Sequence, residues 1–106
     1  MKKIYIAGPY TNGDVALNVK SAVLVANELI GMGFAPYVPH LSHFQHMLAP
    51  RSYRLWMKLD KEWLLCCDAL FRLGGISPGA DEEVEFATKH NIPVFTDIDR
   101  LAEVMR

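Results

Sequence analysis

The sequence is short of several things, and each shortage excludes a class of protein. It has only two cysteines, Cys66 and Cys67. Being adjacent, they cannot form an ordinary intrachain staple, so no disulfide framework is expected and a reducing cytoplasm is the simplest compartment. Charge of one sign is missing too: 11 Lys and Arg against 12 Asp and Glu give a net charge of −1. The whole-molecule field therefore draws in neither a nucleic acid polymer nor an anionic membrane, and an anionic ligand would have to be held by local groups. No hydrophobic run approaches membrane length, and no secretory leader is expected, because Lys2 and Lys3 precede only a short apolar stretch. The glycines are never in the spacing of a dinucleotide fingerprint or a Walker loop. There is no internal repeat, low-complexity tract or linker, and 106 residues fit one domain.

What is present is a core former: 51% of the residues are apolar, enough for a packed interior rather than disorder. Short β-branched runs alternate with longer helical stretches. Lys3 to Ala7 reads as a buried first strand ending at Gly8-Pro9. Asp14 to Met32 carries Val15, Val19, Ala22, Val23, Ala26, Leu29 and Ile30 at helical spacing, closed by Gly31 and Gly33. Phe34 to Val38 reads as a second strand despite Pro36. Pro39 to Pro50 reads as a long histidine-rich loop, Ser52 to Cys66 as a second helix, and Ala69 to Leu73 as a third strand. Ser77 is placed as an N-cap with Pro78 at the first helical position, opening a third helix that runs to about His90. Ile92 to Phe95 is a fourth strand, and a short helix closes the chain.

Strict alternation of strand and helix implies a parallel sheet covered on both faces. The expected architecture is α/β: a Rossmann-like or flavodoxin-like three-layer sandwich with four strands, or five, in the order 2-1-3-4. Such sheets bind ligands at their carboxyl edge, near the point where strand order reverses. Here the loops after Ala7, Val38 and Leu73 form that edge. The first loop, Gly8-Pro9-Tyr10-Thr11-Asn12-Gly13, is tight and bears hydroxyls. His40, directly after the second strand, is placed to line the site.

The third helix holds four acids in five residues, Asp81, Glu82, Glu83 and Glu85. At roughly 100° per residue, Glu83 lies roughly 65° from the centre of the apolar stripe of Ala80, Val84 and Ala87, while Glu82 and Glu85 point away. All four can serve as a solvated face that favours the helix N-terminus. Glu83 can instead be a partly desolvated carboxylate at the ligand edge, which suits a nucleophile. The turn Gly74 to Ala80 offers free backbone amides and the Ser77 hydroxyl to an anion. Asp68 reads as a connector that binds backbone amides. Asp60 stands eight residues earlier on the second helix, and its direction stays open. His40, His43 and His46 lack a carboxylate or cysteine at ligand spacing, so neither a metal nor a cofactor is expected. Tyr53, Trp56 and Trp63 follow helical spacing and read as core or subunit contact.

Three blocks resemble the nucleoside 2-deoxyribosyltransferase superfamily, including the 2′-deoxynucleoside 5′-monophosphate N-hydrolases. They are Ile4 to Tyr10, Asp60 to Ala69, and Ser77 to Glu83 followed by Ala87 and Ile92-Pro93-Val94. The resemblance implies Glu83 as nucleophile, Asp60 as the acid beside it, and Tyr5 orienting the glutamate through its hydroxyl. It also implies that Ser77 and Gly79 form a phosphate-binding turn and that Gly8, Pro9 and Tyr10 border the substrate. The substrate implied is a small nucleoside or nucleotide, its N-glycosidic bond cleaved by transfer to water or to another base. The implied assembly is a homo-oligomer with sites completed across subunits. Pro9 and Tyr10 depart from the monophosphate hydrolases, which carry a serine and later an arginine there. The competing expectation is a non-catalytic nucleotide-binding or sensing module of the same fold.

Overall fold

The computed structural model describes residues 1–106. The chain runs β1 (Lys3–Ala7), α1 (Val15–Gly31), β2 (Ala35–Tyr37), a 3₁₀ turn (Pro39–Leu41), α2 (Ser42–Leu48), α3 (Tyr53–Leu64), β3 (Ala69–Arg72), α4 (Pro78–Lys89), β4 (Val94–Phe95) and α5 (Ile98–Met105). The four strands pair in parallel, as the alternating pattern predicts, and in the expected order β2-β1-β3-β4. Pro36 is accommodated because β2 is an edge strand, paired on one side only.

Side-chain alternation divides the interior into two cores. Ile4 and Ile6 of β1 with Ala69 and Phe71 of β3 face one way, onto Ala22, Ala26 and Leu29 of α1 and Leu101 and Ala102 of α5. Tyr5, Ala7 and Leu70 face the other way, onto Leu64 of α3 and Ala80 and Ala87 of α4. This period of two, applied to two adjacent strands, builds the three layers. Caps set the helix starts: Asp14 accepts from the Leu17 amide, Ser52 from Leu55 and Ser77 from Ala80. The Asp68 carboxylate accepts from the Lys3 amide at 2.7 Å, the connector role its position suggested.

Two local expectations are corrected. Residues Pro39 to Pro50 are a 3₁₀ turn followed by a helix rather than a loop. No glycine or proline interrupts residues 40–49, and the threes that separate His40, His43 and His46 are themselves a helical period. Burial could not reveal this helix because α2 buries no residue. On α1, Ile30 is exposed and Val25 packs on the core instead, which rotates the buried stripe away from the expected phase.

Candidate active site

The site gathers at the carboxyl edge of the sheet, in a cleft of about 500 Å³ between the loop after β1, the 3₁₀ turn, α3 and the start of α4. Of the residues singled out in the sequence, Gly8, Tyr10, His40, Asp60, Ser77, Gly79 and Glu83 all line it. Tyr5 lies beneath, fully buried, and its hydroxyl donates to Glu83 Oε2 across 78 residues of sequence. Pro9 is the exception. Its ring packs against the turn after β3, where a Cβ built on Gly75 would come within 2.9 Å of Pro9 Cγ. The Pro9 carbonyl is instead hydrogen-bonded to His40 Nε2 at 3.0 Å.

Glu83 is more enclosed than helical phase predicts. It is 5% exposed and shares the buried stripe with Ala80 and Ala87. The stripe is rotated because α4 packs both on the sheet and alongside α3, so the flank carrying Glu83 is covered as well. Its neighbour Glu82 points out and pairs with Lys61 at 2.9 Å and Arg54 at 3.4 Å. Burial pushes the Glu83 carboxyl up to about 8; the Tyr5 hydrogen bond opposes this and the Asp60 charge adds to it. Asp60, half-buried, is pushed up to about 7 by burial. Tyr5 is driven well above its ordinary value by burial and then by the Glu83 charge. The cleft floor therefore carries two acids that hold protons near neutrality, over a phenol that stays neutral.

The surrounding groups are held from behind. Tyr5 stacks on Tyr37 with centroids 5.6 Å apart, and Tyr37 stacks on Trp63 at 5.8 Å. The turn before α4 is braced by Arg72, whose guanidinium donates to the carbonyls of Leu73 and Gly75 and to Asp81. Gly75 sits at φ +107°, a left-handed conformation that favours glycine. At Gly79 a Cβ would meet the Tyr53 hydroxyl at 2.9 Å, so glycine lets the two helices approach. The histidines go to separate partners: His40 to Pro9, His43 to the Tyr10 hydroxyl, and His46 to the Trp56 indole at 2.8 Å. Burial lowers the pKa of His40, against the opposing hydrogen bond to the Pro9 carbonyl.

Sequence reasoning missed one wall of the cleft. Tyr53, Trp56 and Met57 line it together with Asp60. Their spacing of i, i+3, i+4 and i+7 puts all four on one helical face, and that was the available signal. Tyr53 and Trp56 are therefore cleft residues, while Trp63 faces outward from the Tyr37 stack.

The doubly wound α/β sheet is shared with solved structures of other proteins, 2-deoxyribosyltransferases among them. The 2-deoxyribosyltransferase of the psychrotolerant bacterium Bacillus psychrosaccharolyticus superposes with a TM-score of 0.64 at 20% identity, covering 87% of this chain and 69% of that one. A 2-deoxyribosyltransferase from Leishmania mexicana gives 0.66 at 19% identity, covering 90% and 63%. A conserved protein from Enterococcus faecalis V583 gives 0.70 at 24% identity, covering 89% and 61%. The chain thus spans less than two thirds of the latter two. These similarities show a shared α/β fold. The chain itself belongs to the family described as Domain of unknown function (DUF7768), whose pattern matches residues 2–97. Among curated proteins, none matches the sequence.

Proposed function

We propose that the protein cleaves the N-glycosidic bond of a (deoxy)nucleoside or its 5′-monophosphate. The observation that carries this reading is the buried Glu83 on the cleft floor, hydrogen-bonded by Tyr5 and accompanied by Asp60. As the C–N bond breaks, the sugar carbon develops oxocarbenium character, and the Glu83 carboxylate closes a C–O bond onto it. Asp60 gives its proton to the departing base. It then takes a proton from the acceptor, which displaces Glu83 and regenerates the carboxylate. Water as acceptor makes the enzyme a hydrolase; a second base makes it a transferase. Tyr53 and Trp56 supply an aromatic wall for the base, which is favourable for a flat, partly apolar ring. Incubation with a panel of nucleosides and monophosphates, following free base by chromatography, tests the reading. Release from no member of the panel would refute it.

The turn capped by Ser77 governs acceptance of a 5′-phosphate. Its serine is buried at the mouth of α4, where free backbone amides favour an anion. The expected result is a preference for monophosphate over nucleoside that Ser77→Ala largely erases. Loss of the cap costs about 1 kcal/mol, so melting curves must accompany the kinetics. Equal efficiency of the parent on both substrates would assign the turn a capping role alone and favour the transferase chemistry.

The same reading includes self-association. Phe44, Met47 and Leu48 on α2, and Trp63 on α3, are exposed apolar side chains, and surface of this kind marks interaction sites. Sedimentation at micromolar concentration is expected to give a dimer or larger; a monomer with full activity would count against it.

A further inference from the structure

The chemistry proposed above uses none of His40, His43 and His46, and His46 is held unlike the others. His40 and His43 each have one partner, whereas two donors converge on His46 Nδ1: the Trp56 indole at 2.8 Å and the Arg51 amide at 3.3 Å. Both are N–H groups that can only donate, so Nδ1 is the unprotonated nitrogen of this ring. The imidazole and the indole meet edge to face, with centroids 5.9 Å apart and planes at 74°. His46 and Trp56 are each half-buried, and both line the cleft. Packing does not account for the arrangement, because α2 buries no residue. The two hydrogen bonds place the ring.

Trp56 and Asp60 lie one turn apart on α3 and line the same cleft. A base lying against the indole is therefore also registered against the carboxyl that protonates it. An indole free to turn must be ordered each time a base binds, and that ordering weakens binding. One already fixed escapes this loss. We infer that His46 is a positioning residue: through Nδ1 it holds the Trp56 ring as a preformed wall for the base. The inference rests on the glycosidase reading and deepens it by naming the group that sets the base side of the site.

The test has an optical arm and a kinetic one. The chain has two tryptophans, Trp56 and Trp63, so in a Trp63→Phe background the emission reports Trp56 alone. There His46→Ala raises acrylamide quenching and shifts the emission, and His46→Asn, whose amide oxygen takes the place of Nδ1, restores both. On a substrate that the parent cleaves, His46→Ala raises KM about fivefold while kcat stays within about twofold, and His46→Asn returns KM towards the parent's. In Trp56→Phe, which has no N–H to hold, adding His46→Ala changes KM by less than about twofold. Unchanged quenching in His46→Ala, or an equal rise in KM with and without the indole N–H, overturns the assignment. A fall in kcat and Tm at constant KM makes His46 a strut of α2 and overturns it as well. A parent that releases no base refutes the glycosidase reading alone. Calorimetric binding of 2′-deoxyadenosine and 2′-deoxycytidine then replaces KM: weakening by His46→Ala with rescue by His46→Asn upholds the wall, and no binding to the parent overturns it.

Discussion

Glu83→Gln is expected to release no base from any substrate the parent cleaves, and to melt higher than the parent at pH 8.5. The first half follows from the proposed chemistry, since an amide cannot form the covalent sugar adduct. The second follows from burial. The carboxyl is 5% exposed, and its pKa in the folded protein is about 8 against an ordinary value of 4.5. Between those values the folded chain keeps a proton that the unfolded chain gives up. The stabilising contribution is complete below about 4.5 and is lost as pH rises through about 8. Above that, folding must bury a charge, and glutamine removes this cost while keeping the size and an acceptor for the Tyr5 hydroxyl. A gain of about 1 kcal/mol or more, or about 4 °C or more in Tm, is a reasonable expectation at pH 8.5. The gap should shrink towards pH 5. A variant retaining more than about a tenth of parental activity would take Glu83 out of the nucleophile role. Melting curves that differ by the same amount at both pH values would show that its protonation is not coupled to folding.

Base release should follow a bell-shaped pH profile with its maximum between about 7 and about 8, the range spanned by the two cleft acids. The chemistry needs one carboxylate to attack and one acid to protonate the leaving base, so the productive enzyme carries a single proton on the pair. Below the bell both acids are protonated and the nucleophile is lost; above it no proton remains for the base. The two limbs belong to the pair rather than to either residue. Tyr5 biases where the shared proton sits. Its hydroxyl donates to Glu83, which opposes the effect of burial and brings the proton affinity of Glu83 down towards that of Asp60. A larger share of the singly protonated pair then carries its charge on Glu83. Tyr5→Phe should therefore raise the proton affinity of Glu83, move the alkaline limb to higher pH and lower kcat, while the acidic limb moves less. Asp60→Asn should flatten the alkaline limb and reduce release by a factor on the order of 10² to 10⁴, the usual worth of a general acid. A pH-independent rate from 5 to 9 would contradict the shared-proton mechanism. A Tyr5→Phe profile superimposable on the parent's would remove Tyr5 from it.

Much of the fold is legible because it depends on local periodicity. Ile4, Ile6 and Phe71 alternate with Tyr5, Ala7 and Leu70, and that alternation alone calls for helices on both sides of the sheet. Asp14 and Ser77 announce helix starts through hydroxyl or carboxylate chemistry that acts within three residues. The eight-residue interval between Asp60 and Asp68 is likewise visible, although the two aspartates do different things: one lines the cleft, the other ties β1 to the connector.

By itself, the sequence determined the alternation of elements and the position of Ser77 at a helix start, because each is a pattern of neighbours, and the parallel sheet follows from the alternation. Tertiary structure decided the rest. Which flank of α4 is covered depends on α3 lying beside it, so the enclosure of Glu83 could not be obtained from helical phase. Whether Asp60 faces the cleft depends on how α3 is set against α4, and its face brings Tyr53, Trp56 and Met57 along. The helix α2 buries nothing and is tied by His43 to Tyr10 and by His46 to Trp56, contacts between residues distant in the chain. Proton affinity, above all, is a property of surroundings: two carboxyls with ordinary acidity in an open chain hold protons near neutrality only because folding removes water from around them.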